Sequence, residues 1–277
     1  KQKALYTGVM HFLFSSLNLH LDTEAIVETF IERGTRFSIE VGTEVAPKII
    51  RWTSWGNGPF QQSYALVSAD GITLVDPVRP KMPEVVDALD QYLENGVVSV
   101  VSTTPFHQRH VFWFRQRYGA PVYIPEKAAE NYEGKRNELY GSGDEIPGGC
   151  TAVHVGGENE EMVLLWKASP RKAVLIAGDA INGQTESGGF DGALEAPFHQ
   201  VGGIRLRLEG RLTAREMRRK FEPLLDHTFH LILSGHNPKG ITKEPKEALN
   251  AVLASGKHEV LDYKDGVCTF LWRDLRS

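Results

Sequence analysis

The sequence predicts an α/β protein in which short apolar strands alternate with amphipathic helices. Residues 97–102 are almost all apolar, which indicates a strand buried on both faces. Residues 83–95 repeat apolar side chains at helical spacing, which predicts an amphipathic helix just before that strand. Thr213 and Glu216 have the spacing of a capping box, which predicts the start of a helix that runs to Leu225. Such alternation is typical of an α/β domain.

The overall composition is that of an ordinary globular chain. It has 277 residues, 41% of them hydrophobic and 24% charged, which suffices for one large domain. The formal net charge of −4 gives no electrostatic case for nucleic acid or an anionic membrane as a partner. Cys150 and Cys268 do not make a disulfide framework and would pair only if the fold brought them together. We therefore expect a reducing, cytoplasmic setting and a small-molecule substrate.

The first 44 residues are predicted to be an N-terminal extension that packs on a domain formed by residues 45–277. Thr23 is a suitable helix cap, apolar residues recur at helical spacing after it, and Gly34 can end the helix. A helix is therefore predicted over residues 23–33. Packing on the domain, or a homodimer interface, is the role expected of this extension.

The domain itself is predicted to be a succession of strands, helices and two long loops. The predicted strands are 48–52, 62–68, 71–76, 97–102, 121–124, 151–155, 162–166, 173–176, 230–233, 259–263 and 268–272. The predicted helices are 83–95, a run ending at Tyr118, 213–225 and 244–255. Residues 133–149 and the glycine-rich residues 183–203 are predicted to be loops. The basic residues between 205 and 220 are predicted to lie on a solvated helix face, because glutamates interrupt them.

Three groups of polar side chains follow predicted buried strands. His107 and His110 come after the strand at 97–102, Asp179 follows the strand at 173–176, and His236 follows the one at 230–233. The carboxyl ends of strands are where α/β proteins usually bind ligands. Imidazole and carboxylate are suitable ligands for zinc, iron or manganese. A single buried histidine is more often a core residue, so the joint occurrence of the groups carries the prediction.

From Ile50 onward the chain resembles the metallo-β-lactamase-fold hydrolases. The segment QQSYALVSADGITLVDPV looks like that family's first hairpin, which ends in a buried acidic residue, here Asp76. VVSTTPFHQRHVFWFRQRYGAPVYIP looks like its strand, metal motif, helix and strand. VLIAGDAI resembles the strand with the bridging aspartate, and LILSGHNP the strand with the last histidine. The resemblance implies an αββα sandwich of two facing mixed β-sheets flanked by helices, with metal ions in the cleft between the sheet edges.

The metal motif departs from the family's Thr-His-x-His-x-Asp-His pattern. Thr104 matches the threonine, and Pro105 stands where the first histidine belongs. His107 matches the second histidine and His110 the last, but Arg109 replaces the aspartate between them. Proline has no side-chain ligand atom, and a permanent cation beside a divalent ion lowers its affinity. A normal two-metal centre is therefore not expected.

The other family positions are better kept. Asp179 and His236 match directly, whereas Glu158 aligns with the histidine of the third motif. One predicted arrangement is a single metal ion, zinc before iron or manganese, held by His107, His110, Asp179 and His236 with Glu158 as an optional oxygen ligand. In this arrangement the ion activates water for attack on a small ester, lactone, thioester or phosphoester, with Asp179 as a catalytic residue.

Arg109 has one role in this hydrolase and a different role in an alternative without metal. In the hydrolase, Arg109 positions an anionic group of the substrate as part of the catalytic site. In the alternative, a non-catalytic binding or structural protein, its guanidinium fills the vacated metal position and pairs with Asp179 or Glu158, or instead holds an anionic ligand. His199, in the glycine-rich loop, is a candidate substrate-binding residue if the loop folds over the cleft, and otherwise an exposed loop histidine.

Overall fold

The computed structural model describes residues 26–32, 35–41, 48–56, 58–93, 96–132, 137–156, 161–169, 172–183, 204–209, 212–235, 237–241, 243–264 and 267–271. The strands of the first half are β1 (Ile26–Glu32), β2 (Thr35–Val41), β3 (Ile49–Gly56), β4 (Gly58–Ser68), β5 (Gly71–Val75), β6 (Val97–Val101), β7 (Val122–Pro125), β8 (Glu138–Tyr140) and β9 (Glu145–Ile146). Those of the second half are β10 (Cys150–His154), β11 (Met162–Ser169), β12 (Lys172–Ile176), β13 (Ile181–Gly183), β14 (Ile204–Glu209), β15 (Phe229–Ser234), β16 (Asn237–Ile241), β17 (Glu259–Lys264) and β18 (Val267–Leu271). The α-helices are α1 (Pro83–Leu93), α2 (Val111–Tyr118), α3 (Ala214–Leu225) and α4 (Pro245–Ser255), and short 3-10 helices cover Pro105–His110 and Glu126–Tyr132.

The first sheet contains eight strands in sequence order, from β1 to β8. The pairs from β1 to β5 are antiparallel, and β5, β6, β7 and β8 run parallel to one another. The pairing changes from antiparallel to parallel because a tight turn at Ala69 and Asp70 joins β4 to β5, whereas a crossover through α1 joins β5 to β6. The result is a mixed sheet.

The second sheet is also mixed and has the order β16-β15-β12-β11-β10-β9. Its β12 and β15 are parallel, with α3 between them in the chain, and the remaining pairs are antiparallel. A smaller group of strands has the order β13-β14-β17-β18. The chain therefore builds two main sheets of the expected mixed kind.

Three apolar clusters show how these sheets and helices are layered. The central cluster joins first-sheet residues such as Leu66 and Val101 to second-sheet residues such as Leu164 and Leu233, so the two sheets face each other. A second cluster packs α1 and α2 on the outer face of the first sheet. A third packs α3 and α4 on the outer face of the second sheet. The predicted αββα sandwich is confirmed.

Most of the predicted elements are confirmed. The four helices form, and the Thr213–Glu216 capping box is made in both directions. The strand at β6 is buried on both faces as predicted, because Val100 belongs to the outer cluster and Val101 to the central one. The Cys150 thiol is free and buried in the central cluster. Within the described residues, no helix is both long and apolar enough to cross a membrane.

The predicted helix over residues 23–33 is wrong where the structure describes it. Ile26–Glu32 is β1, which pairs antiparallel with β2, and β2 in turn pairs with β3. The segment contains Ile26, Val27, Thr29 and Ile31, whose β-branched side chains favour strands. Over so few residues apolar spacing does not separate helix from strand, and the available partner strand decides. The division of the chain at residue 44 stays a prediction.

Two further predictions are wrong, and some strands were not predicted. Residues 133–149 are not wholly a loop, since they contain β8 and β9. The basic run is not one helix face, because Arg207 is buried on β14, whereas Arg215 and Arg218 are exposed on α3. Residues 237–241 form β16, which the sequence pattern did not indicate. Most of the predicted 183–203 loop lies outside the described residues.

We predict that Leu164→Ala weakens the sandwich strongly. Leu164 is 0% exposed between the two sheets, so its truncation leaves a cavity that costs about 2–5 kcal/mol of unfolding free energy. Urea denaturation measures this loss. Leu139→Ala is the control, because Leu139 is 53% exposed on β8, and it should change the unfolding free energy by about 0.5 kcal/mol or less. Equal losses in the two variants would contradict the layered core.

Candidate functional site

The candidate site lies where four strands end at the facing edges of the two sheets. β5 ends at Asp76 and β6 leads into the 3-10 helix that contains His107. In the second sheet β12 leads to Asp179 and its parallel neighbour β15 leads to Gly235. The ends of these strands are tied together across the sheets by backbone hydrogen bonds. Gly235 donates its N–H to the Gly178 carbonyl at 2.6 Å and accepts the Gln62 N–H at 2.8 Å.

Asp76 fixes the end of the first sheet. Its backbone has a positive φ of 47°, which an aspartate adopts more readily than most residues. Its amide donates to the Val101 carbonyl at 2.9 Å, which ties it to β6. Its carboxylate accepts the Thr103 N–H at 2.8 Å and the Thr103 hydroxyl at 2.6 Å. With both oxygens occupied, this buried carboxylate has a single orientation.

His107 lies between two carboxylates. Its Nδ1 is 2.9 Å from the Asp76 Oδ2, and its Nε2 is 3.4 Å from the Asp179 Oδ1. Burial opposes protonation of this imidazole, but the Asp179 and Asp76 carboxylates outweigh burial and hold the pKa of His107 well above its usual value. We call Asp76, His107 and Asp179 the site array.

Asp179 stands on a turn that is shaped by close backbone packing. Gly178 has a φ of +48°, and a Cβ added to it would lie 2.4 Å from the Thr103 Oγ1. The Asn182 Nδ2 donates to the Asp179 carbonyl at 2.7 Å, which closes the turn. A Cβ on Gly235 would lie 3.1 Å from both the Asp179 Oδ1 and the His107 Cε1. Glycine at positions 178 and 235 therefore allows the two halves of the site to meet.

Glu161 is a site residue that sequence reasoning missed. It is 8% exposed, and its Oε1 accepts the Asp179 N–H at 3.1 Å. Burial, and after it the Asp179 carboxylate, raises the pKa of Glu161 to about 8. The one sequence signal is an acidic residue directly before the apolar run that forms β11. Thr103 was also missed, although it donates through its hydroxyl to Asp76.

Of the predicted site residues, the structure brings His107 and Asp179 together, with the Nε2 and Oδ1 atoms 3.4 Å apart. His110 ends the same 3-10 helix and is half-buried at the start of α2. His236, Glu158 and His199 lie outside the described residues, as does the Arg109 side chain, although its backbone belongs to that 3-10 helix. In the described part of the chain, no three ligating side chains converge as a metal site. The predicted ligand set as a whole stays a prediction.

The donor types in the site array nevertheless suit a divalent metal ion. Imidazole nitrogen and carboxylate oxygen are ordinary ligands for zinc, iron and manganese. The His107 Nε2 and the Asp179 Oδ1 face each other from different sheets, and Gly235 keeps the space beside them free of a side chain. In metal sites the second ring nitrogen of a ligating histidine is commonly held by a carboxylate, and here the Asp76 carboxylate lies next to the His107 Nδ1.

Solved structures of metallo-β-lactamases are similar to this chain. One, the metallo-beta-lactamase from Pontibacter korlensis, is 18% identical, with a TM-score of 0.52 over 78% of this chain and 98% of the other. Another, the DIM-1 metallo-beta-lactamase, is 13% identical, with a TM-score of 0.52 over 79% of this chain and 98% of the other. At these identities the likeness shows a shared fold. No family model and no curated protein matches the chain.

We predict that Gly178→Ala destabilises the protein more than Gly119→Ala. Both glycines have positive φ, at +48° and +70°, but an added Cβ meets Thr103 only at Gly178 and nothing within 4 Å at Gly119. Gly119→Ala should cost about 1 kcal/mol of unfolding free energy through backbone strain, and Gly178→Ala about 1–3 kcal/mol more. Urea denaturation compares them. Equal costs would contradict the close contact between Gly178 and Thr103.

We also predict that both carboxylates of the site array are needed for the high pKa of His107. Asp179→Asn and Asp76→Asn should each lower the pKa of His107, because burial then disfavours the imidazolium with less opposition. NMR titration of the histidine ring resonances in metal-free protein measures the shift. Asp90→Asn is the control, because Asp90 pairs with Arg117 instead. An unchanged His107 pKa in Asp179→Asn would show that the ion pair does not form.

Proposed function

Because the chain has the metallo-β-lactamase fold, we propose that it is a metal-dependent hydrolase with one divalent metal ion. The observation that carries the proposal is the approach of the His107 Nε2 to the Asp179 Oδ1, 3.4 Å apart at the facing sheet edges. The two residues come from different sheets, and each is held by its own hydrogen-bonded support. An imidazole and a carboxylate arranged in this way are suited to hold one cation between them.

The charges of the site favour a bound cation. Asp76, Glu161 and Asp179 surround His107, and Asp76 and Glu161 are almost fully buried. Among the described residues, three carboxyl groups and one imidazole make up this part of the site. Buried carboxylates are stabilised by an opposing charge, and a divalent metal ion would supply one. This set of donors supports the hydrolase.

His107 and Asp179 are the proposed ligands within the described residues, joined by His110, His236 and Glu158 from the sequence pattern. Zinc is the first candidate for the ion, with iron or manganese as alternatives. When bound, such an ion supplies Lewis acidity that polarises a carbonyl or phosphoryl oxygen. Asp76 then keeps the His107 ring in one orientation through Nδ1, and Thr103 keeps Asp76 in place.

The proposed substrate is a small ester, lactone, thioester or phosphoester. Arg109 is proposed to hold an anionic group of this substrate, and His199 to contact it from the glycine-rich segment. Nucleic acid and membrane are not among the proposed partners, and a homodimer is compatible with the proposal. A reducing, cytoplasmic setting belongs to it as well, and the free, buried Cys150 thiol supports that setting.

Metal content and hydrolysis test the proposal together. Protein purified with added zinc, iron or manganese should hold about one equivalent of metal, and Asp179→Ala should reduce this to about a tenth or less. Hydrolysis of p-nitrophenyl acetate and bis-p-nitrophenyl phosphate should be screened on the same samples. Activity on at least one of them, or on a lactone or thioester panel, should fall at least tenfold in Asp179→Ala and after chelation. Asp90→Asn, remote from the site array, is the control for both measurements.

The outcome that contradicts the hydrolase is a wild-type protein that stays empty after supplementation. In that case the binding protein is the remaining candidate, and its anion affinity should depend on Arg109. Titration with inorganic phosphate then compares wild type with Arg109→Ala, and a lower affinity in the variant would favour the binding protein. Metal that binds equally well to Asp179→Ala would reject the proposed ligand role of Asp179.

A further inference from the structure

Glu161 carries a buried carboxyl group directly before the apolar strand β11. Only 8% of it is exposed, and the next five residues, Met162 to Trp166, are all buried. Burying a carboxyl is costly unless it is hydrogen-bonded. Among the described residues, the Asp179 amide is the group that donates to this carboxyl, at 3.1 Å. The hydrogen bond from the Asp179 amide therefore offsets part of the free-energy cost of burying this carboxyl group.

The backbone of Glu161 is fixed on both sides. Its carbonyl accepts the Val155 N–H at 2.9 Å and the Gly156 N–H at 3.1 Å. The amide of the next residue, Met162, donates to the Thr103 carbonyl at 3.0 Å. Thr103 also donates twice to Asp76. Backbone hydrogen bonds therefore set the position of Glu161 relative to the site array independently of its side chain.

These contacts close a ring of interactions around the site. Thr103 holds Asp76, which pairs with the His107 Nδ1. The His107 Nε2 faces Asp179, the Asp179 amide donates to Glu161, and the segment of Glu161 returns to Thr103 through the Met162 amide. The Glu161 side chain links the start of β11 to the turn after β12. Without it, the Asp179 turn loses its hydrogen bond to the residue that precedes β11.

We propose that Glu161 is a positioning residue of the site, whose carboxyl oxygen holds the Asp179 amide and thereby keeps the Asp179 carboxylate against His107. Its contribution to metal binding and hydrolysis rests on the proposed function. The positioning itself is a property of the folded chain and can be measured without metal.

The variants that test this role separate the acceptor oxygen from the carboxyl group that carries it. Glu161→Gln keeps a side-chain oxygen that can accept the Asp179 N–H and removes the carboxyl. Glu161→Leu removes the acceptor at nearly the same volume. Glu138→Leu is the control, because Glu138 is an exposed glutamate on β8. Thermal unfolding verifies that each variant folds, and Glu161→Ala replaces Glu161→Leu if the leucine variant does not.

The first measurement uses metal-free protein. In Glu161→Leu, hydrogen exchange at the Asp179 amide should accelerate about tenfold or more, and the ring-nitrogen NMR signals of His107 should shift. In Glu161→Gln and Glu138→Leu, the exchange rate of the Asp179 amide and the His107 signals should stay close to those of the wild type.

The second measurement is zinc affinity, determined by competition with a chromophoric chelator. It should fall about 10–100-fold in Glu161→Leu and stay within about twofold of wild type in Glu161→Gln.

Each result decides a separate question. The positioning role would be overturned if the Asp179 amide exchanges as in the wild type and the His107 signals are unchanged in Glu161→Leu, or in Glu161→Ala if that variant is used. A Glu161→Gln variant as impaired as Glu161→Leu would also overturn it, because the site would then require the carboxyl group itself and not merely an oxygen that accepts the Asp179 N–H. A wild-type protein that binds no zinc, iron or manganese would remove the proposed function, while the exchange and NMR results would still decide the role of Glu161.

Discussion

The Asp76 carboxylate is the group on which the rest of the site depends. It occupies a left-handed backbone position at the end of β5 and accepts two hydrogen bonds from Thr103. Its second oxygen also faces the His107 Nδ1. Through its two hydrogen bonds from Thr103 and its ion pair with the His107 Nδ1, this one carboxylate orients both the chain after β6 and the imidazole. The direction of the His107 Nε2 follows from it.

The second constraint is the close approach of the two sheets. Gly235 bonds to Gln62 of the first sheet and to Gly178 of the second, and the Tyr64 hydroxyl donates to the Ser234 carbonyl at 2.6 Å. Side chains at positions 178 and 235 would enter the space that Thr103, His107 and Asp179 occupy. The apolar core brings the sheets face to face, whereas these backbone contacts set the distance between Asp179 and His107.

The electrostatics of the site follow from this packing. Asp179 and Asp76 together raise the pKa of His107 despite its burial, and burial beside Asp179 raises that of Glu161. Proximity and low solvent access therefore act on the same few groups. Among the described residues, carboxyl groups predominate in the site, which suits a cation, and this is the physical link between the fold and the proposed hydrolase.

The sequence by itself determined the local features: the amphipathic helices, the buried strands, the capping box of α3, and the order of His107 and Asp179 along the chain. These depend on residue spacing within one element, which a sequence displays directly. Only the tertiary structure decided that Ile26–Glu32 is a strand, since an available partner strand overrides weak helical spacing. It also decided that Thr103 and Glu161 belong to the site. Their roles arise from contacts between residues far apart in the chain, and no local pattern encodes those distances.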